Sequence, residues 1–178
     1  MNYQDFLALF EKKPYPIVVN YEKFETEKSR KTFQDELWET IDGQWIKPVF
    51  APFIPELEAG TFTREGPARF QSQALLAQTD NYDLLLYVVM PPWRSSEKWL
   101  LASYSKKGEL LTELPIALNA EHEQLGAILS EDGSLMIQQW KIEIEKGVLQ
   151  YKEVDFKRFI VQEDGHFRQT FGEPYPKK

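Results

Sequence analysis

The sequence predicts a mainly β protein, an antiparallel β-meander of about eight strands preceded by one or two N-terminal helices. The main indication is a turn motif in which a charged residue, a glycine, any residue and an apolar residue follow one another. It occurs four times in the C-terminal half, around Gly108, Gly133, Gly147 and Gly165, and a fifth copy surrounds Gly43. Glycine supplies the positive φ of a tight hairpin turn, and a polar residue suits the position before it. Apolar runs of strand length flank the four downstream copies, so neighbouring strands are expected to be antiparallel.

The N-terminal region is predicted to begin with a short helix. Asn2 can cap it, and Asp5 in its first turn complements the helix dipole. Pro14 and Pro16 end the helix, because proline cannot continue the hydrogen-bond ladder. Residues 17–19 are apolar and suit a short strand.

A second helix is expected to start near Thr26 or Ser29, because apolar residues then recur at helical spacing on one face. This stripe consists of Phe33, Leu37, Trp38 and Ile41. Residues 47–67 carry four prolines with apolar residues between them. A disordered linker would not contain so much apolar area, so we expect an ordered connection without regular hydrogen bonding.

The body of the protein is predicted to contain two groups of four strands. The first group comprises residues 68–78, 82–90, 98–104 and 110–118. The second group comprises residues 125–129, 135–144, 148–161 and 166–170. Residues 82–90 are apolar at nearly every position, which indicates a central strand covered on both faces. The apolar pattern of residues 148–161 changes phase twice, which predicts β-bulges near Lys152-Glu153 and Lys157-Arg158.

Two arrangements of these strands are compatible with the sequence. Each group has the size of a four-stranded propeller blade, but two blades cannot close a propeller. The alternative is one continuous curved sheet. In either case we expect one compact domain with three parts: a helical extension and proline-rich connection at 1–67, a β body at 68–171 and a frayed tail at 172–178.

Composition restricts the class of function. The chain has 178 residues, no cysteine and a formal net charge of −7. Disulfides and thiolate metal sites are therefore excluded, and we expect a cytoplasmic protein, although a removed signal peptide would leave no trace in this sequence. An acidic chain is a poor nucleic-acid binder, and no apolar run approaches the length of a membrane helix, so neither nucleic-acid binding nor membrane insertion is expected. A basic protein partner is compatible with the charge.

The sequence contains no recognisable catalytic signature. His122 lies between two glutamates, but the position four residues later is Gly126, so the two-histidine zinc motif is absent. There is no nucleophile elbow and no phosphate-binding loop. Asp132-Gly133 and Asp164-Gly165 lack the neighbouring oxygen ligands of a calcium loop and are better interpreted as turns. We therefore expect no catalytic residue, cofactor or metal site.

The candidate binding residues lie in two loops. Trp93 and Arg94 follow two prolines, and both residue types commonly anchor protein interfaces. Glu97 is expected to form an acidic rim beside them. The second candidate is the acidic loop, which comprises Glu121, His122 and Glu123. The simpler interpretation of Trp93 is that it folds back over a sheet edge, and an exposed aromatic pair with Trp45 could instead stack on a sugar.

The leading hypothesis is a non-enzymatic protein that binds and masks another protein. The helical front and glycine-turned meander resemble small bacterial β proteins, some of which are immunity proteins for secreted toxins. This resemblance implies an inhibitor of a toxin and transfers no residue, and the acidic net charge is compatible with a basic toxin. One alternative is a carbohydrate- or peptide-binding β module of a surface system. Another is an enzyme with a scattered carboxylate-based site.

Overall fold

The computed structural model describes residues 2–19, 43–54, 62–63, 66–67, 69–90, 97–119, 123–145 and 148–172. The N-terminal elements are α1 (Tyr3–Leu7), β1 (Ile17–Val19), the 3₁₀ helix η1 (Pro48–Phe53), β2 (Phe62–Thr63) and β3 (Gly66–Pro67). The body consists of β4 (Arg69–Gln78), β5 (Tyr82–Met90), β6 (Lys98–Ser105), β7 (Leu110–Asn119), β8 (Glu123–Leu129), β9 (Ser134–Glu145), β10 (Val148–Val161) and β11 (Phe167–Phe171). The predicted second helix and most of the predicted tail lie outside the described residues.

The predicted antiparallel meander is confirmed. Strands β4 to β11 pair in chain order in one sheet, β1 joins this sheet by pairing with β8, and β2 and β3 form a separate small pair. All eight predicted strands of the body are present, and their ends lie within two residues of the predicted ends.

Three of the four predicted glycine turns are seen directly. Gly108, Gly133 and Gly165 have φ values of 87°, 77° and 86° and connect β6 to β7, β8 to β9 and β10 to β11. In the first of these turns the Gly108 N–H donates to the carbonyl of Ser105 at 2.9 Å, and the Ser105 N–H donates to that of Glu109 at 2.8 Å. The other two turns repeat this pattern, which is that of a three-residue hairpin loop with glycine at the left-handed position. The fourth, at Gly147, lies outside the described residues.

The upstream copy of the motif has a different role. Gly43 is not among the described glycines with positive φ. A Cβ atom at this position would lie 1.8 Å from the carbonyl oxygen of Ser72, so glycine is required for close approach to β4. Two segments cover the free edge of this strand: beside Gly43 the Ser72 N–H donates to the Gln44 carbonyl at 2.9 Å, and from the N-terminal segment the Glu11 carbonyl accepts from the Leu75 N–H at 2.8 Å. These contacts protect an otherwise open sheet edge.

The two predicted strand groups belong to one curved sheet. Strands β7 and β8 join them through two residue pairs, Leu118 with Leu125 and Asn119 with Gln124. The sheet then curls, so that the β10–β11 turn returns to the first group, where the Ser103 hydroxyl donates to the Gly165 carbonyl at 2.6 Å. Continuous pairing agrees with the curved-sheet alternative and not with two separate blades.

One of the two bulges predicted for β10 occurs close to its expected position. The β9–β10 register shifts between Glu153 and Asp155, and the β10–β11 register shifts between Arg158 and Phe159. The first shift skips Val154 and changes which residues of β10 face the core, in agreement with the change of phase in the sequence. The second shift skips Thr170 on β11, whereas β10 pairs with β9 in regular register from Asp155 to Ile160, so the predicted bulge of β10 near Lys157-Arg158 is wrong.

The inner face of the curved sheet encloses the first core. It collects buried apolar residues from both strand groups and from β1, among them Val19, Leu86, Leu101, Ile116, Leu129, Leu135 and Phe159. Because both groups contribute, neither has a separate core on this face.

The second core lies on the opposite face of β4 to β6, where the N-terminal segments cover the sheet. Its buried members include Tyr3, Phe6, Phe10, Phe50, Leu85, Tyr87, Leu100 and Tyr104. Phe6 is at its centre, with its ring centroid 5.1 Å from that of Phe53 and 5.2 Å from that of Phe10. The expectation that the proline-rich connection lacks regular hydrogen bonding is wrong for Pro48–Phe53, which forms η1. Proline is tolerated in its first turn because the N–H groups there have no partner within the helix.

Candidate functional site

Most of the predicted binding residues fall outside the described part of the chain. Trp93 and Arg94 lie within residues 91–96, and Glu121 and His122 precede β8. The proposed roles of these four residues therefore remain predictions.

Glu97 is described, and its position differs from the expected one. Only 1% of its surface is exposed, so the prediction of a solvent-exposed acidic rim is wrong for this residue. Glu97 directly precedes β6 (Lys98–Ser105), so it lies where the chain enters the packed sheet and not in a solvent-exposed loop as the sequence had suggested.

Glu123 is part of a polar cluster at the start of β8. Its carboxylate accepts a hydrogen bond of 2.6 Å from the side-chain amide of Gln139 on β9. Gln139 pairs in register with Asp155 on β10, and the Asp155 carboxylate lies 2.9 Å from the Lys157 ammonium. Glu123 and Asp155 therefore each have a polar partner within the sheet, which is typical of a structural role.

No metal centre is seen in the described part of the chain, where no group of three or more histidine or acidic side chains could hold an ion. Within the same residues, no helix has the length and apolar character needed to cross a membrane.

Among the described residues, exposed apolar side chains gather on the outer face of β1 and β8 to β11. We call this surface the outer patch, and it consists of Val18, Ile128, Met136, Phe156, Arg158, Ile160 and Phe171. Strand register places five of these residues in one row, Val18, Ile128, Met136, Arg158 and Phe171. The ends of this row remain open, with Val18 54% and Phe171 60% exposed.

An arginine lies among aromatic rings in the outer patch. The Arg158 guanidinium carbon is 5.4 Å from the centroid of the Phe156 ring, within the range of a cation–π contact. The Phe156 and Phe171 ring centroids are 6.1 Å apart. The patch thus combines exposed and half-buried apolar side chains with a planar donor that lies against an aromatic ring.

Trp45 is the exposed aromatic residue that the sequence did suggest. It is half exposed beside the edge of β4, where it forms a bridge with Gln71, and the Arg69 guanidinium carbon lies 5.6 Å from its ring. Its pairing with Trp93 on a sugar remains a prediction, because Trp93 is outside the described residues.

Sequence reasoning missed the outer patch. Phe156 and Ile160 share the outward parity of β10 once the bulge after Glu153 is taken into account, and that phase change was visible in the sequence. What was not visible is that the N-terminal segments cover the outer face of β4 to β6. Comparison with known proteins gives no guidance on this surface, since we found no matching protein-family model, no similar curated protein and no similar solved structure.

Proposed function

We propose that this chain is a non-enzymatic protein that binds and masks another protein, with immunity-type inhibition of a toxin as the concrete case. The observation that supports the proposal is the outer patch. An antiparallel sheet with one face on the core normally presents polar side chains on the other. Exposed apolar side chains gathered on one face are typical of a protein interaction surface.

The dimensions and chemistry of the outer patch suit one side of an interface. Its row crosses five strands, or about 19 Å at the usual strand spacing. Phe171 offers a large apolar area at small entropic cost, and Arg158 can pair with a carboxylate or a carbonyl of the partner. Aromatic and arginine side chains at the centre of an interface commonly supply most of the binding energy.

The net charge of the chain indicates the kind of partner. At −7, the protein would attract a basic partner at long range and accelerate encounter, while the outer patch would supply the close contacts. A basic toxin fits this description.

The experiment compares patch variants with a matched control. The immobilised protein is used to capture partners from the source cells, each captured protein is purified, and its dissociation constant is measured. Phe171→Ala and Arg158→Ala test the patch, and Trp93→Ala tests the predicted loop. Val49→Ala is the control, because Val49 is about as exposed but lies on η1.

We expect Phe171→Ala to bind the partner at least ~10-fold more weakly, as for an interface hot spot. Val49→Ala should bind like the wild type, and an equimolar amount of the wild-type protein should abolish the partner's activity. If Trp93→Ala were the only variant to lose affinity, the interface would lie at the predicted loop and not at the outer patch. A partner that binds and stays fully active would contradict masking.

A further inference from the structure

Two exposed arginines lie next to each other at the β11 end of the outer patch. Strand register pairs Arg158 with Phe171 and Ile160 with Arg168, so Arg168 adjoins the patch on the same outer face. Both arginine side chains are exposed. They are diagonal neighbours on an antiparallel pair, a geometry in which residues are about 7–8 Å apart. The two positive charges therefore act at one place on the surface.

Neither arginine has an acidic partner in the described part of the chain. Lysines on β9 and β10 do have one, since Lys141, Lys152 and Lys157 each lie within 3.3 Å of a carboxylate oxygen. No such ion pair involves Arg158 or Arg168 among the described residues. A guanidinium presents its N–H donors in a planar fork that matches a carboxylate. The arginine pair therefore retains its capacity to bind carboxylates of another molecule.

The surface around the arginine pair is mainly apolar and has no acidic residue. The outer patch lies within three rows of residues that strand register pairs across the sheet, and none of these residues is acidic. The rows are Val18, Ile128, Met136, Arg158 and Phe171; Ser134, Ile160 and Arg168; and Gly126, Gln138 and Phe156. In a chain with a net charge of −7, this is a local region of positive charge.

The position of the outer patch favours a helix as the docking element. On the face of a sheet the backbone groups are used in strand pairing, so a docking segment must satisfy its own backbone hydrogen bonds. A helix does so and presents only side chains. From Val18 to Arg158 the central row crosses three strand spacings, or about 14 Å, which about ten residues of helix span.

We propose that the outer patch binds an amphipathic helix of the masked protein whose apolar stripe ends in carboxylates. The apolar stripe contacts Val18, Ile128 and Met136, and the carboxylates pair with Arg158 and Arg168. This inference rests on the proposed function, because it names the segment through which the masked partner docks. The net charge attracts a basic protein from a distance, and the arginine pair then selects an acidic segment on its surface.

The test uses three synthetic peptides that differ only at the end of their apolar stripe. Each forms about four helical turns with leucines along one face. The stripe ends in two glutamates in the first peptide, two glutamines in the second and two lysines in the third. Fluorescence anisotropy of the labelled peptides gives the dissociation constants. We expect the glutamate peptide to bind, the glutamine peptide to bind at least ~5-fold more weakly and the lysine peptide to bind more weakly still.

Variants of the arginines then assign the carboxylate contacts. Arg158→Gln and Arg168→Gln should each weaken binding of the glutamate peptide about 5-fold and leave binding of the glutamine peptide unchanged. Arg69→Gln is the matched control, because Arg69 is an exposed arginine beside the Trp45 ring but lies on β4, at the opposite end of the sheet. Arg158→Glu combined with Arg168→Glu should reverse the preference, so that the lysine peptide binds more tightly than the glutamate peptide.

Several results would overturn the proposal. If no peptide binds, or if the glutamate and glutamine peptides bind the wild type equally well, the arginine pair does not select carboxylates. If a short single-stranded oligothymidylate binds more tightly than the glutamate peptide and loses affinity in Arg158→Gln, the surface binds nucleic acid and the proposal is wrong.

The captured partner separates this inference from the proposed function. If Phe171→Ala weakens binding of the partner and Arg168→Gln does not, masking through the outer patch is retained and the acidic helix is wrong. If the peptides behave as expected and no captured protein is inhibited, the outer patch binds an acidic helix in a protein that does not mask its partner.

Discussion

At the scale of single residues, Asp83 joins three separate segments through one carboxylate. It is completely buried, accepts a hydrogen bond of 3.1 Å from the Tyr3 hydroxyl and lies 2.6 Å from the Lys106 ammonium. Tyr3 belongs to α1, Asp83 to β5 and Lys106 to the β6–β7 turn. A buried carboxylate is stable only when it is paired, so these contacts allow a charge to remain under the N-terminal helix.

The same contact predicts how stability depends on alkaline pH. Burial raises the pKa of Tyr3 far above its usual range, and the Asp83 charge and hydrogen bond raise it further. A tyrosine in the unfolded chain loses its proton near pH 10. Below that pH both states hold the proton and the contribution of Tyr3 is complete. Above it only the unfolded state releases the proton, so the free energy of unfolding falls as pH rises.

We expect Tyr3→Phe to abolish this part of the pH dependence. The variant should be less stable by about 1–2 kcal/mol at pH 8, because Asp83 loses one donor. The difference from the wild type should shrink by up to about 1.4 kcal/mol per pH unit above about pH 10. Urea unfolding of both proteins between about pH 8 and pH 12 measures this difference in the free energy of unfolding. Parallel stability curves would show that Tyr3 does not hold its proton in the folded state.

At the scale of elements, the hairpin turns differ in how closely they pack. A Cβ atom at Gly165 would lie 2.9 Å from Cβ and Cγ of Tyr82 and 3.0 Å from Cδ1 of Leu111. At Gly133 the nearest atom, the carbonyl oxygen of Val161, would be 3.6 Å away, which is an ordinary contact. Both glycines have positive φ, so alanine is strained at both.

Alanine should therefore cost more at Gly165 than at Gly133. We expect Gly133→Ala to lower the free energy of unfolding by about 1–2 kcal/mol, which is the backbone strain alone. Gly165→Ala should cost a further 1–3 kcal/mol, approximately, because the methyl group overlaps its neighbours. Denaturant unfolding of the two variants gives the comparison directly. Equal losses would mean that the β10–β11 turn does not pack against β5 and β7 as described.

The strands and turns could be predicted because their causes are local. Glycine and its polar neighbour specify a hairpin within five residues, and alternation specifies each strand within about ten. The phase change near Glu153 also has a local cause, which is the extra residue in β10 itself. The second core was harder to predict: Leu85 and Tyr87 indicated a covered outer face, but the residues that cover it come from α1 and η1, far away in sequence.

The candidate sites were less predictable for the same reason. Glu97 looks like a surface acid, but it directly precedes β6 and is buried where the chain enters the sheet. Trp99 was correctly interpreted as core, since only 9% of its surface is exposed and it belongs to the first core. Phe171 was interpreted as part of the strand that closes the meander, and its exposure follows from the bulge opposite Arg158.

At the scale of the whole molecule, the two strand groups are joined by few residue pairs, yet they share one core. Only two residue pairs join β7 to β8, which alone would suggest two separable units. The first core argues otherwise, since Leu86 from the first group and Phe159 from the second belong to the same cluster. The β10–β11 turn also contacts the β4–β5 turn, where the Asn81 side-chain amide donates to the Glu163 carbonyl at 3.0 Å.

Shared burial predicts a single cooperative unfolding transition. Leu86→Ala and Phe159→Ala should each lower the free energy of unfolding by about 2–5 kcal/mol, through lost transfer energy and a new cavity. Because the core is common, each substitution should weaken amide-exchange protection in both β5–β6 and β9–β10 by a similar amount. Val49→Ala, on the exposed side of η1, serves as the control. It should change neither the free energy of unfolding nor the amide-exchange protection. If Phe159→Ala lowered protection in β9–β10 alone, the two groups would be independent units, and the curl of the sheet would not hold them together in solution.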